Sequence, residues 1–312
     1  MSDPLKPAYT SRWELKNGKL LSSGSTEFLL GLLNHHIGHP PPGEVPLKLE
    51  DIPVTDTSPI DHDMGSGIER IPLAYDTDED GDVDLQDFGS AYNAQRKWCP
   101  WARDLPNHRK RSNYKTKNGL PKGAVVHFTA GHPDYSLERM GEIAIDSGMC
   151  YWCITEEGEV GQPNPLTDAG YHAGQSSYPG LNGYVSDELL GIELAAPGRL
   201  KEVGGGKAVS WFPRKFDVSK CRRVAAKDNV KAGLYYAYTE DQEAGLRRTL
   251  MWLKFNDPYN FSFDLVLGHD EVASARKDDP GGALSMTMPE FRQSLKDDWE
   301  VIVEVLGLPN DS

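Results

Sequence analysis

The chain has no uninterrupted apolar run near the roughly 20 residues that a membrane span needs, so no transmembrane segment is expected. Its amino terminus, MSDPLKPAYTSRWELKNGK, lacks the apolar centre of a secretory signal. The product is therefore expected to stay in the cytoplasm on synthesis and to reach any outside target only after release. Cysteine is scarce: Cys99, Cys150, Cys153 and Cys221 are too few to staple 312 residues, which excludes a disulfide scaffold. Positive charge is also short, with 33 Lys+Arg against 47 Asp+Glu and a net charge of −14, a balance that disfavours nucleic-acid binding. One basic island, HRKRSNYKTK at His108 to Lys117, reads as a solvated linker.

What is present divides unevenly. Length suggests one large domain with an appendage, and we place the boundary near residue 110, giving segments 1–110 and 111–312. In the first, STEFLLGLLN clusters Phe28, Leu29, Leu32 and Leu33 on one helical side. His35, His36 and His39 follow it with no carboxylate or cysteine nearby, so they are not read as a metal site. HPPPGEVP is a linker by composition.

DTDEDGDVDLQD, residues 76–87, then fits a twelve-residue calcium loop. Asp76, Asp78 and Asp80 stand at positions 1, 3 and 5, Gly81 at the turn, Asp82 at 7, Asp84 at 9 and Asp87 at 12. Hard oxygen donors at alternate positions suit Ca2+, and the loop resembles those of EF-hand and dockerin-like proteins. Position 12 departs from that pattern, being aspartate rather than a bidentate glutamate.

From Gly123 the pattern becomes α/β. AVVHFTAG and LLGIELAAPG read as strands, and YSLERMGEIAIDSG as a helix. MCYWCIT also reads as a strand, in which Cys150 and Cys153 face opposite sides, so its CxxC is not taken as a redox or zinc motif. Residues 198–232, rich in Gly and Lys, read as an insertion. Thr239 with Gln242, and Thr287 with Glu290, spell capping boxes for two amphipathic helices. The expected fold is α/β: a central mixed, largely parallel sheet flanked by helices, preceded by a smaller irregular segment carrying the EF-hand-like loop.

The chemistry concentrates in GHDEVASARKDDPGG, residues 268–282. His269 falls at the end of the apolar run FDLVLG. In an extended segment Lys277 and Asp279 would point together while Asp278 turns away, with Pro280-Gly281 closing the turn. His127, His269 and Asp279 could supply the three ligands of a catalytic zinc, which leaves one position for water. Glu193, a lone carboxylate inside LLGIELA, is costly to bury unless it faces a cavity or a cation.

In their order and spacing, VVHFTAG, GYHAG, LLGIELAAPG and GHDEVASARKDDPG resemble the zinc-dependent N-acetylmuramoyl-L-alanine amidases over about residues 120–305. That resemblance implies zinc ligands His127, His269 and Asp279, a catalytic pair Glu193 and Lys277, and His172 beside the substrate groove. Phe128 stands where many members have a second histidine, and Cys150-Tyr151 where relatives often carry an aromatic or histidine pair. The resemblance also implies peptidoglycan as substrate, cut between N-acetylmuramic acid and L-alanine. The expected protein is a monomeric phage endolysin. The competing readings are a non-catalytic peptidoglycan-binding module of the same fold and a cytoplasmic muropeptide-recycling amidase.

Overall fold

The computed structural model describes residues 13–16, 19–22, 97–99, 102–105, 115–116, 119–149, 151–181 and 184–306. The helix expected at STEFLLGLLN, the three histidines after it and the acidic loop 76–87 lie outside them.

A two-stranded hairpin pairs β1 (Trp13–Lys16) with β2 (Lys19–Ser22). The short strand β3 (Arg103–Asp104) is an edge strand of the central sheet, and β4 (Lys115–Thr116) pairs antiparallel with β8 (Asp168–Ala169). Next come β5 (Gly123–Phe128), α1 (Leu137–Asp146), β6 (Tyr151–Ile154) and β7 (Val160–Gln162). A single turn, α2 (Val185–Glu188), precedes β9 (Leu189–Leu194). Ser136 caps α1 by accepting from the Arg139 N–H, which satisfies one of the orphan donors of the first turn.

Residues 198–232 are more than an insertion loop. They fold as β10 (Arg199–Gly204), β11 (Lys207–Val209), β12 (Lys215–Asp217) and β13 (Cys221–Val224), completed by β14 (Gly233–Tyr236). These make a five-stranded antiparallel sheet in the order β12-β11-β10-β14-β13. Its turn residues reach the loop after β5: the Trp211 indole N–H donates to the Ala130 carbonyl at 2.7 Å, and Arg214 forks onto Asp134 at 2.9 and 3.1 Å.

The helix α3 (Glu240–Asn256) starts from the expected capping box. Thr239 Oγ1 accepts from the Gln242 N–H, and Gln242 Oε1 from the Thr239 N–H, both at 3.1 Å. The run FDLVLG splits: Phe263–Leu265 form a 3-10 turn, and only Val266–Gly268 form strand β15. The chain then enters the single turn α4 (His269–Val272) rather than a loop, and ends its described part in α5 (Met288–Leu306). At the start of α5 the second box is half formed, because Thr287 donates both its N–H and its hydroxyl to the Glu290 carboxylate.

The central sheet runs β15-β5-β9-β6-β7-β3, parallel at every pairing except β6 with β7. Alternation sends the two faces of each strand to different partners. Val126, Ile192, Leu194, Trp152 and Ile154 join Leu246, Leu250, Phe291 and Leu295 of α3 and α5 in the main core. Arg247 of α3 and Asp298 of α5 form a buried ion pair there at 2.5 Å. The opposite face carries Tyr151 and Cys153 against α1, and Val125, Leu189 and Leu267 against the segment around Ala173 and Val185. That second face holds the chemistry. The Cys153 thiol is buried there, and its pKa is pushed well above the usual value by desolvation and then by Glu193, so it is an inert core group.

Candidate metal centre

Strand register assembles the site. His127 is the direct partner of Glu193 across β5 and β9, and Glu193 of Cys153 across β9 and β6. Gly268 pairs with Val126, so the next residue, His269, continues the same row on the other side of His127. Three chemistry-bearing side chains thus share one level near the carboxyl ends of parallel strands.

Asp279 arrives differently. It does not sit at a strand end; the loop after α4 folds back until the Asp270 N–H donates to the Asp279 carbonyl at 2.8 Å, closing residues 270–279. Gly281, at a φ of 48° that favours glycine, turns the chain away. The Glu271 carboxylate anchors the base of the loop, accepting from the Gly268 N–H at 2.9 Å and from both arms of Arg292 at 2.7 and 2.9 Å. Tyr238 secures the other side by donating its hydroxyl to the His127 carbonyl at 3.0 Å.

The three donor atoms form a tight triangle. His127 Nδ1 lies 2.8 Å from His269 Nδ1, and each nitrogen lies 2.9 Å from Asp279 Oδ2. All three residues are buried. The outer nitrogens establish which inner atoms carry lone pairs. His269 Nε2 faces the Ala173 carbonyl at 3.1 Å, and a carbonyl only accepts, so the proton sits on Nε2 and Nδ1 is bare. His172 Nε2 likewise donates to the Leu189 carbonyl at 3.2 Å, leaving His172 Nδ1 to accept from His127 Nε2 at 3.0 Å. His127 Nδ1 is then bare as well.

Two imidazole lone pairs and a carboxylate oxygen within 2.9 Å of one another repel unless a cation lies among them. Two histidines and one aspartate are the donor set of a zinc site that keeps a position open for chemistry. Burial pushes the His127 imidazole down to about 4, against the pull of the adjoining Asp279 carboxylate, so it is neutral and ligand-ready at pH 7. Burial alone would raise Asp279, but the two imidazoles that adjoin it overcome that and hold it well below the usual carboxylate range.

The two groups expected to act on substrate flank this cluster. Glu193 is buried, and its Oε2 has no hydrogen-bond partner among the described residues. Desolvation first, and then the charge of Asp279, lift its carboxyl well above the ordinary value, with Lys277 opposing. Lys277 is half-buried, and its ammonium is felt at both Glu193 and His127. Asp278 faces elsewhere, its charge being felt at Tyr235. His172 is buried behind His127, with its ring against the backbone of β9. Sequence reasoning passed over Tyr238, Gly191 and the Ala173 carbonyl. Two of these act through backbone atoms or missing volume, which leave no compositional signal; Tyr238 reads from sequence as one more core aromatic.

A profile of the N-acetylmuramoyl-L-alanine amidase family matches residues 117–282, more than half of the chain. The chain belongs to the N-acetylmuramoyl-L-alanine amidase family. It is a zinc-dependent amidase that hydrolyses the bond between N-acetylmuramic acid and the L-alanine of the stem peptide in peptidoglycan. Similar solved structures include a selenomethionine AmpD derivative, 23 % identical, covering 64 % of this chain and 97 % of that one at a TM-score of 0.39. The endolysin amidase LysCS from Clostridium intestinale is 17 % identical, with coverages of 64 % and 98 % and a TM-score of 0.39. AmpD from Citrobacter freundii is 20 % identical, with coverages of 69 % and 95 % and a TM-score of 0.35. No curated protein matches the chain. Among the described residues of the amidase, no helix is long and apolar enough to cross a membrane.

Proposed function

We propose that this amidase is an endolysin that acts on the assembled cell wall after release from the cytoplasm, and that Glu193 and Lys277 are its catalytic residues. The observation that carries the residue assignment is the buried Oε2 of Glu193, without a hydrogen-bond partner among the described residues, in the same strand row as the zinc ligand His127. Bound zinc supplies Lewis acidity towards water and the amide carbonyl. Glu193 takes the proton of the attacking water and passes it to the departing nitrogen. The lactyl C–N bond breaks, leaving a carboxylate on the sugar and a free amino group on L-alanine. The Lys277 ammonium stabilises the oxyanion formed on the way.

Mass spectrometry of digested peptidoglycan tests the reading. Expected products are intact glycan strands and stem peptides with a free L-alanine amino terminus. Fragments cut in the glycan or at the peptide cross-bridge would refute it. Faster turnover of soluble muropeptides than of intact sacculi would instead identify a recycling enzyme.

The acidic segment 76–87 supports a further proposal, that the appendage 1–110 binds Ca2+ through Asp76, Asp78, Asp80, Asp82, Asp84 and Asp87. Seven acids in twelve positions repel one another without a counter-ion. Calcium added to zinc-saturated protein is expected to raise the melting temperature, and an Asp76→Ala, Asp80→Ala double variant should lose that response. A parent protein whose unfolding ignores calcium would sink the proposal.

A further inference from the structure

His172 and Ala173 are neighbours in the chain, and between them they meet the outer nitrogens of both histidine ligands. The His172 ring accepts from His127 Nε2 at 3.0 Å, and the Ala173 carbonyl accepts from His269 Nε2 at 3.1 Å. We propose that this dipeptide sets the tautomers of both zinc-binding imidazoles, and that His172 is a positioning residue for His127 rather than a substrate contact.

Each half of the dipeptide is itself held. The His172 ring cannot turn over freely, because its Nε2 is tied to the Leu189 carbonyl at 3.2 Å. Its place exists only because β9 has a glycine there: a Cβ on Gly191 would lie 2.5 Å from His172 Cγ and 2.9 Å from its Nδ1 and Cδ2. Contacts that short require one side to move. The ring therefore sits at the strand level two residues before Glu193, on the face that carries the metal cluster. Ala173 is fixed by its N–H, which donates to the buried Ser186 Oγ at 3.0 Å. Its carbonyl also accepts from Arg276 at 2.6 Å, a residue of the loop that delivers Asp279.

The physical consequence lies in the inner nitrogens. An imidazole with no partner for Nε2 distributes its proton between both nitrogens, and the fraction protonated at Nδ1 cannot bind a metal. The Leu189 carbonyl forces the proton of His172 onto Nε2, so His172 can only accept from His127, and His127 must present a bare Nδ1. The polarity of the chain Leu189–His172–His127 thus runs one way, towards the metal. Outer-layer partners of this kind are worth about 10–100-fold in metal affinity.

The inference rests on the zinc assignment, so the test reads zinc binding separately from hydrolysis. Zinc affinity is measured by competition with a chromogenic chelator, and histidine tautomers by nitrogen-15 NMR of the metal-free protein. His172→Leu keeps bulk but removes the acceptor and is expected to weaken zinc binding by about 10–100-fold. The same variant should populate the Nδ1-protonated form of His127. His172→Asn places a carbonyl oxygen close to where the imidazole Nδ1 stood and should restore affinity to within about threefold of the parent. Gly191→Ala, with His172 intact but displaced, should behave like His172→Leu.

A His172→Leu protein that binds zinc as tightly as the parent would overturn the proposal. So would one whose only defect is a raised KM, since that marks a substrate contact. If the leucine variant does not fold, the parent's own His127 tautomer and the Gly191→Ala affinity still decide it. A parent protein that binds no zinc at all would instead remove the metal assignment itself.

Discussion

Glu193→Gln is expected to lower the rate of peptidoglycan hydrolysis by on the order of 10²–10⁴ while leaving zinc binding stoichiometric. Glutamine matches glutamate in volume, so the packing of β9 is undisturbed, but it cannot accept the proton of an attacking water. Glu193 lies outside the His127, His269 and Asp279 donor triangle, which is why the metal should stay. A proton count sharpens the test. In metal-free protein burial, and then the charge of Asp279, raise the pKa of Glu193 and so favour its protonated form. A dication bound beside it favours the carboxylate, so zinc loading should release more protons from the parent than from the glutamine variant, as read by calorimetry in buffers of different ionisation enthalpy.

The sign also fixes a stability trend. A carboxyl whose folded value is raised stabilises the native state only while protonated, so this contribution in the metal-free parent is present below the ordinary glutamate range and lost as pH rises above it. The glutamine variant should lack that decline. Full activity in Glu193→Gln with normal zinc content would refute the general-base role.

Asp279→Asn should empty the metal centre. The aspartate carries the only formal negative charge among the three donors and lies 2.9 Å from both inner nitrogens. Its neutral isostere keeps the shape and loses the charge that draws a dication into a buried site. Zinc present at about 100 times its dissociation constant stabilises a protein by about 2.7 kcal/mol. For a domain of this size that corresponds to a rise in melting temperature of about 5–10 °C. The parent is expected to show this rise and Asp279→Asn to show none, with hydrolysis at the background of the assay. An unchanged zinc response in the variant would mean that the metal is held elsewhere. Acid acts in the same direction: because the folded value of Asp279 is depressed, its contribution is intact above the ordinary aspartate range and is lost as pH falls through the folded value.

Several features were legible because they are local. The apolar run around His127, the stripe of α3 with its Thr239 cap, and the spacing of Lys277 and Asp279 around Asp278 are written in neighbouring residues. Glu193 could be singled out because an isolated carboxylate in an apolar strand is expensive to bury without a purpose. Features that depend on register were harder to read. Residues 198–232 look like an insertion because Gly and Lys carry little strand signal, yet pairing with β14 makes them part of a sheet. FDLVLG reads as a strand by composition, but Ser262 caps a 3-10 turn over its first half.

The sequence alone determined the chemistry available to GHDEVASARKDDPGG: two metal-binding side chains and a cation at fixed spacing, on a chain that resembles zinc amidases. Residue type and order suffice for that, since a histidine or an aspartate brings the same donor atom into any fold. The tertiary structure decided which lone pairs point inward. That depends on the backbone carbonyls of Leu189 and Ala173, and on the absence of a side chain at Gly191, all of which meet the histidines only through the pairing of β9 with β5 and the closure of the loop at Asp270 and Asp279. Carbonyl direction and missing volume are properties of folded backbone, and no residue type announces them.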